Sequence, residues 1–284
     1  MKNAGRGFDF RKRSPDAQIS RLVETIWFAR GTVHYEKEAI APTGSAVAIM
    51  ILGDPIEQAS TGSLNGTVRS HRGLIVGPHD RPIVNRPLGE THALGIVATP
   101  MGCEALFGVR PASLRGRIFD LFDIWPEASS LRDRLLRADD PRQKIATVHD
   151  ALCARPKPNI PGLDRCRLAV QIMEADPALP VMTVAEKLQI SIGHLDREFS
   201  RIVGLSPRKL SNVIRMRALL RRLDVTANND WAGLALEYGW HDQPHLIRAF
   251  KRYTGVTPTR YVAAQRAAFD TKQLADAVGF VPEV

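Results

Sequence analysis

The C-terminal third of this 284-residue chain repeats itself with a period near fifty, which constrains its fold more than any other feature. Ala185 matches Ala235 and Ile190 matches Trp240; one residue further out of phase, Leu195 matches Leu246, Arg197 matches Arg248, Phe199 matches Phe250, Gly204 matches Gly255 and Pro207 matches Pro258. Each copy reads as two short helices and a turn. In the first, Thr183 is placed to cap a helix with Glu186 three residues later, Val184, Ala185 and Leu188 face inward, and the chain turns at Gln189-Ile190. Ser191 then caps a second helix with Leu195, Phe199, Ile202 and Val203 as its buried stripe, stopped by Gly204. In the second copy Asp230 caps the first helix, Gly239 turns, Trp240 anchors, and Asp242 caps a helix whose Leu246, Phe250 and Tyr253 face inward before Gly255.

Opposite the stripes, the second helices present His194, Arg197 and Arg201 in one copy and Gln243, His245, Arg248, Lys251 and Arg252 in the other. A helix apolar on one face and cationic or amide-bearing on the other suits a major groove, where Arg pairs with guanine, Gln with adenine and Lys with phosphate. The run from Pro207 to Leu223 predicts one long helix between the copies, spanning roughly 25 Å at ~1.5 Å per residue. Two such helices held on one side of a duplex address grooves about 34 Å apart. Charge agrees. Asp164 to Arg266 carries 16 Lys and Arg against 10 Asp and Glu, and residues 1–13 carry five basic residues against Asp9, whereas residues 14–163 are near neutral.

The rest of the chain divides by pattern. Residues 1–14 read as a basic flexible arm. Residues 15–153 read as a β-rich barrel or sandwich with a helical end: Val23–Phe28, Ala46–Leu52, Gly73–Val76 and Leu94–Ala98 are strand-like runs separated by Gly/Pro/Asp turns, and Ile118, Leu121, Phe122 and Trp125 fall at helical spacing. Ala154 to Gly162 holds three prolines and a glycine, so 154–163 is placed as a linker, 164–266 as an all-α domain and 267–284 as a tail. The expectation is an α+β protein of two domains. The longest apolar run, Ala46 to Leu52, is too short to span a bilayer. Three scattered cysteines (Cys103, Cys153, Cys166) suggest free thiols in the cytoplasm.

The segment Leu236-Glu-Tyr-Gly-Trp-His-Asp-Gln-Pro-His-Leu-Ile-Arg-Ala-Phe-Lys-Arg-Tyr-Thr-Gly-Val-Thr-Pro-Thr-Arg-Tyr261 resembles the second helix-turn-helix and closing helix of the AraC/XylS family of transcription regulators. The resemblance covers about 100 residues. It implies base-reading positions at Gly193, Asp196 and Arg197 in the first recognition helix and at Gln243, Pro244, His245, Ile247 and Arg248 in the second. Gly193 has no side chain to read with, so the base-reading set expected is Arg197, Gln243, His245, Ile247 and Arg248, with Ser191, His194, Arg201, Lys251 and Arg252 as backbone or positioning contacts. Leu22–Trp27, Pro42-Thr-Gly44, Ile51-Leu-Gly53 and Gly95–Gly108 more weakly resemble a domain that precedes this unit in some family members and senses a ligand or dimerises. The resemblance implies an activator-type transcription regulator with double-stranded promoter DNA and RNA polymerase as partners, a small-molecule effector at the N-terminal domain, a homodimer, and no membrane partner.

Other chemistry finds little support. His34, His71, His79 and His92 show no HxH or HxxxH pattern, and no metal or cofactor is expected. No phosphate loop, nucleophile elbow or carboxylate pair points to an enzyme. A second reading stays open, a DNA-repair or enzymatic protein that uses the repeat for targeting, with Cys103 as its thiol.

Overall fold

The computed structural model describes residues 8–60, 66–156, 158–270, 273–274 and 276–283. Half of the basic arm (1–7) and Lys157 of the linker lie outside the described residues; the other half is not a flexible arm, because Asp9–Arg13 is a strand paired with Ile26–Arg30. The strands are β1 (Asp9–Arg13), β2 (Val23–Gly31), β3 (Lys37–Ile40), β4 (Val47–Ile51), β5 (Ile56–Ser60), β6 (Thr67–Ser70), β7 (Gly73–Val76), β8 (Ile83–Pro87) and β9 (Thr91–Ala98). Helices α1 (Gly102–Phe107) and α2 (Pro111–Leu114), strand β10 (Ile118–Asp120), then α3 (Leu121–Ile124), α4 (Ala128–Arg137) and α5 (Pro141–Ala154) complete the N-terminal part. All strand pairs are antiparallel, in two sheets ordered β1-β2-β9-β4-β7-β10 and, with a late strand β11 (Phe280–Glu283), β11-β3-β8-β5-β6.

Alternation along the central strands explains why they read as continuous apolar runs. On β4 and β7, Ile49, Ile51, Leu74 and Val76 join the core between the sheets, while Ala48, Met50 and Ile75 join the core under the helices. Both faces are covered, so no polar position is required. Ile118 is on a strand rather than a helix: three residues pair with β7 before Asp120 caps α3 through the Phe122 N–H at 2.9 Å. The strands β3, β5, β6 and β8 are not apparent in sequence because the second sheet carries buried polar residues. Glu38 accepts from Asn85 at 2.9 Å and from Tyr35 at 2.8 Å, and Gln58 donates to Asn85 at 3.0 Å. Burial lifts the Glu38 carboxyl to about 6.

The C-terminal part is α6 (Leu163–Ala175), α7 (Val181–Lys187), α8 (Ile192–Ile202), α9 (Pro207–Arg222), α10 (Trp231–Glu237), α11 (Gln243–Thr254) and α12 (Pro258–Ala268). The linker ends α5 and is partly packed, with Ile160 buried. The residues after 266 are more than a tail: β11 pairs with β3 from Phe280↔Ile40 to Glu283↔Lys37. Gln265 donates to the Ala277 carbonyl at 3.1 Å and the Gly279 N–H donates to Tyr261 Oη at 3.0 Å, so α12 carries the turn that returns the chain to the sheet.

Candidate nucleic-acid interface

The repeat is a repeat in three dimensions. In each copy a sharp turn joins the two helices through equivalent backbone bonds: Gln189 N–H to Glu186 O and Ile190 N–H to Ala185 O in the first, Gly239 N–H to Leu236 O and Trp240 N–H to Ala235 O in the second. The turn needs a left-handed residue. Gly239 takes φ 74° without strain, and Gln189, the non-glycine residue with positive φ among the described residues, takes 54°. Ser191 caps α8 by accepting from the His194 N–H at 3.2 Å, and Asp242 caps α11 by accepting from the His245 N–H at 2.7 Å. The His245 N–H and the neighbouring His241 together hold the Asp242 carboxyl below its ordinary range. The helices after them are capped alike, Ser206 on the Lys209 N–H and Thr257 on the Arg260 N–H, each with proline in the first turn. Thr183 is not a cap. Helix α7 starts earlier, after Pro180, and Thr183 sits inside it.

Helix α9 sets the two copies relative to one another. Arg215 at its middle donates to Pro177 O at 3.0 Å in the first copy and to Gly239 O at 3.1 Å in the second, with its guanidinium 5.6 Å above the Trp240 ring. One guanidinium thus ties the loop before α7 to the turn before α11.

The stripes are buried as the repeat requires: Leu195, Phe199, Leu246 and Phe250 are all fully enclosed. On the opposite faces Arg197, Gln243, His245 and Arg248 are exposed, and Ile247 is half-buried between them. Gly193 leaves room beside Arg197, whose Nη1 would lie 3.6 Å from an added Cβ.

The backbone candidates separate. Lys251 is exposed. His194 is held in a cluster, 2.8 Å from Arg165 Nη1 and 3.2 Å from Glu198 Oε1. Arg201 donates to the Pro161 carbonyl, fixing the end of α8 to the linker. Arg252 donates to Asp80 of the N-terminal domain at 3.0 Å, and Lys209 stands 3.6 Å from the same carboxylate. Nothing in the local sequence of Asp80, in the Gly-Pro-His-Asp turn, signals this partnership. Further along α9, Arg217 donates to Thr43 O at 3.3 Å and pairs with Glu24, which Arg221 approaches to 3.6 Å.

Two helix-turn-helix units in tandem, capped alike and joined by a long helix, define a DNA-binding domain of the double helix-turn-helix class. Residues 184–264 match the model of a helix-turn-helix domain, and residues 11–120 match that of a domain of unknown function (DUF6597). Residues 184–264 thus carry a helix-turn-helix domain of the AraC type. A curated relative is the raffinose operon transcriptional regulatory protein RafR of Pediococcus pentosaceus, 28% identical over 104 residues. That match covers 36% of this chain, and the chain spans only 37% of the length of that regulator. Among solved structures, unsaturated fatty acid bound ToxT from Vibrio cholerae is 11% identical with a TM-score of 0.48, covering 92% of this chain and 97% of that one. An AraC-type regulator from Chromobacterium violaceum is 26% identical with a TM-score of 0.33, covering 38% of this chain and 97% of that one.

Among the described residues no helix is long and apolar enough to cross a membrane. Cys103, the candidate thiol of the repair reading, is fully buried, and burial pushes its thiol up to about 12. A thiol in that setting offers almost no thiolate at neutral pH.

Proposed function

We propose that this protein is a sequence-specific DNA-binding transcription regulator that lays α8 and α11 in two successive major grooves, with its N-terminal domain controlling how the second helix is presented. The observation that carries the reading is the pair of capped, equivalently packed helices with Arg197 exposed on one and Gln243, His245 and Arg248 exposed on the other. In this reading Arg197 and Arg248 pair with guanine, Gln243 with adenine, His245 with a base edge, and Ile247 packs on a thymine methyl. Lys251 meets phosphate, and Ser191, through its cap, points the exposed N-terminus of α8 at the backbone. His194 and Arg201 act by fixing α8 to α6 and the linker.

Control by the N-terminal domain rests on Asp80. Its carboxylate occupies Arg252 and Lys209, two cations that flank the DNA-facing helices. While that contact stands, part of the charge suited to phosphate is neutralised within the protein. A ligand or partner that favours the open contact would raise DNA affinity by its differential affinity for the two states. Promoter DNA, RNA polymerase, a small-molecule effector, self-association as a homodimer and a cytoplasmic location belong to the same reading, which assigns the chain no catalytic role.

Selection of bound sequences from a random DNA pool, using the intact chain, tests the proposal. The expected product is a site with two specified segments about ten base pairs apart. Equal binding of selected and random DNA at physiological salt would overturn it.

A further inference from the structure

Away from the DNA-facing helices, three side chains of metal-binding type meet at the edge of the N-terminal domain. Asp16, in the turn before β2, and His149 and Cys153, one turn apart on α5, place their ligand atoms within 4.8 Å of one another. Asp16 Oδ1 accepts from the Gln18 N–H at 3.0 Å, which directs Oδ2 to His149 Nε2, also 3.0 Å away. Asp150 Oδ1 stands 3.3 Å from the other ring nitrogen, Nδ1. The His149 ring is almost enclosed, at 6% exposure, while Asp16 at 48% leaves the group open to solvent on one side. Cys153 Sγ lies 3.8 Å from both ring nitrogens.

We propose that Asp16, His149 and Cys153 form a zinc site, with Asp150 as the carboxylate behind the histidine. Tetrahedral zinc with bonds of about 2.0–2.1 Å to nitrogen and oxygen and about 2.3 Å to sulfur sets its ligand atoms roughly 3.3–3.6 Å apart. The separations here, 3.0 Å between Nε2 and Oδ2 and 3.8 Å between Nε2 and Sγ, bracket that range. The sulfur stands beside the ring rather than on the Nε2 axis, so closure requires Cys153 to turn toward the gap between the other two ligands. The donor set is one imidazole, one thiolate and one carboxylate. It favours zinc over magnesium or calcium, which take oxygen alone, and water on the open side completes four-coordination. A carboxylate on Nδ1 holds its proton there and leaves the Nε2 lone pair for the ion. The ion would join the segment ahead of β2 to the last helix before the linker.

Metal-stripped full-length protein, titrated with zinc against a chromophoric chelator and with cobalt(II) followed by absorbance, tests the site. Expected are one ion per chain, a thiolate-to-cobalt charge-transfer band that Cys153→Ser abolishes, and zinc binding weakened about tenfold by Asp150→Asn. The other two cysteines are buried with their thiols pushed up to about 12, so the band reports on Cys153. Should Cys153→Ser fail to fold by circular dichroism, Asp16→Asn, in an exposed turn, is expected to weaken zinc at least tenfold. Failure to retain zinc at stoichiometric concentration would leave only a His149–Asp16 ion pair and overturn the proposal. A charge-transfer band that survives Cys153→Ser would overturn it as well.

Discussion

The two helix-turn-helix units share a fold and differ in what they are attached to. The stripe of the first, Leu195, Phe199 and Ile202, is continuous with the core of the N-terminal domain, one cluster running from Ile19 through Trp125 and Leu152 to Ile214. Helix α8 ends against α2, with Gly204 set on Pro111. The stripe of the second, Leu246, Phe250 and Tyr253, forms its own cluster with Leu219, Trp240 and Tyr261, and among the described residues takes Ala39 and Val281 from the sheets. Identical local sequence logic thus yields one unit built into the N-terminal domain and one held to it by an ion pair and a strand. A division of the chain at its prolines separates sequence patterns; the cores divide about fifty residues later.

Truncating the two matched phenylalanines should break or sustain this contrast most clearly. Each of Phe199→Ala and Phe250→Ala is expected to cost about 3–5 kcal/mol. Hydrogen exchange should show protection lost in β4 and β9 for Phe199→Ala and confined to α10–α12 for Phe250→Ala. Equal loss in the sheets would mean that the second unit is also part of the common core.

The matched glycines give the next effect. Gly204 and Gly255 both have φ 83°, so alanine at either carries the left-handed penalty of about 1–2 kcal/mol. Only at Gly204 would the new Cβ lie 2.9 Å from Pro111; at Gly255 the nearest atom is 3.8 Å away. Chemical denaturation is expected to place Gly204→Ala a further ~1–3 kcal/mol below Gly255→Ala, the cost of overpacking.

On DNA, Arg248→Ala is expected to cost about 1–3 kcal/mol and to relax specificity at one base, measured by binding to a panel of single-base variants of the selected site. Arg197→Ala should act in the other half of the site. Loss of discrimination in the same half would show that the two helices do not read separate segments. The smallest effect is expected from Asp80→Asn, which frees Arg252 and Lys209: a severalfold gain in affinity, with a salt dependence steeper by one to two phosphate contacts. A loss of affinity instead would make Asp80 a positioning group for α11.

Much of this is legible in the sequence because it is local. Caps at Ser191, Asp230 and Asp242, stops at Gly204 and Gly255, and the stripe residues follow from short-range spacing, and the structure places them accordingly. Thr183 misleads because Pro180, three residues earlier, already starts the helix. Ile118 misleads because three residues are too few to show a period. Contacts between distant segments are not legible. Asp80 and Arg252 are 172 residues apart, and neither has a neighbour that predicts the other. The spacing of His149 and Cys153 is visible as one helical turn, but the turn bearing Asp16 has no pattern pointing to them.

Strand β11 has a consequence for motion. Because it pairs with β3, the second helix-turn-helix unit leaves the common core along α9 and rejoins the sheet at its other end. It is an insertion anchored at two points, not a pendant on a tether. Any swing of α11 away from Asp80 is therefore limited to a rotation about the line between those two anchors, unless the edge strand peels off. A chain cut before Phe280 would lose the second anchor and also leave β3 as an unprotected sheet edge, a template for pairing with another molecule.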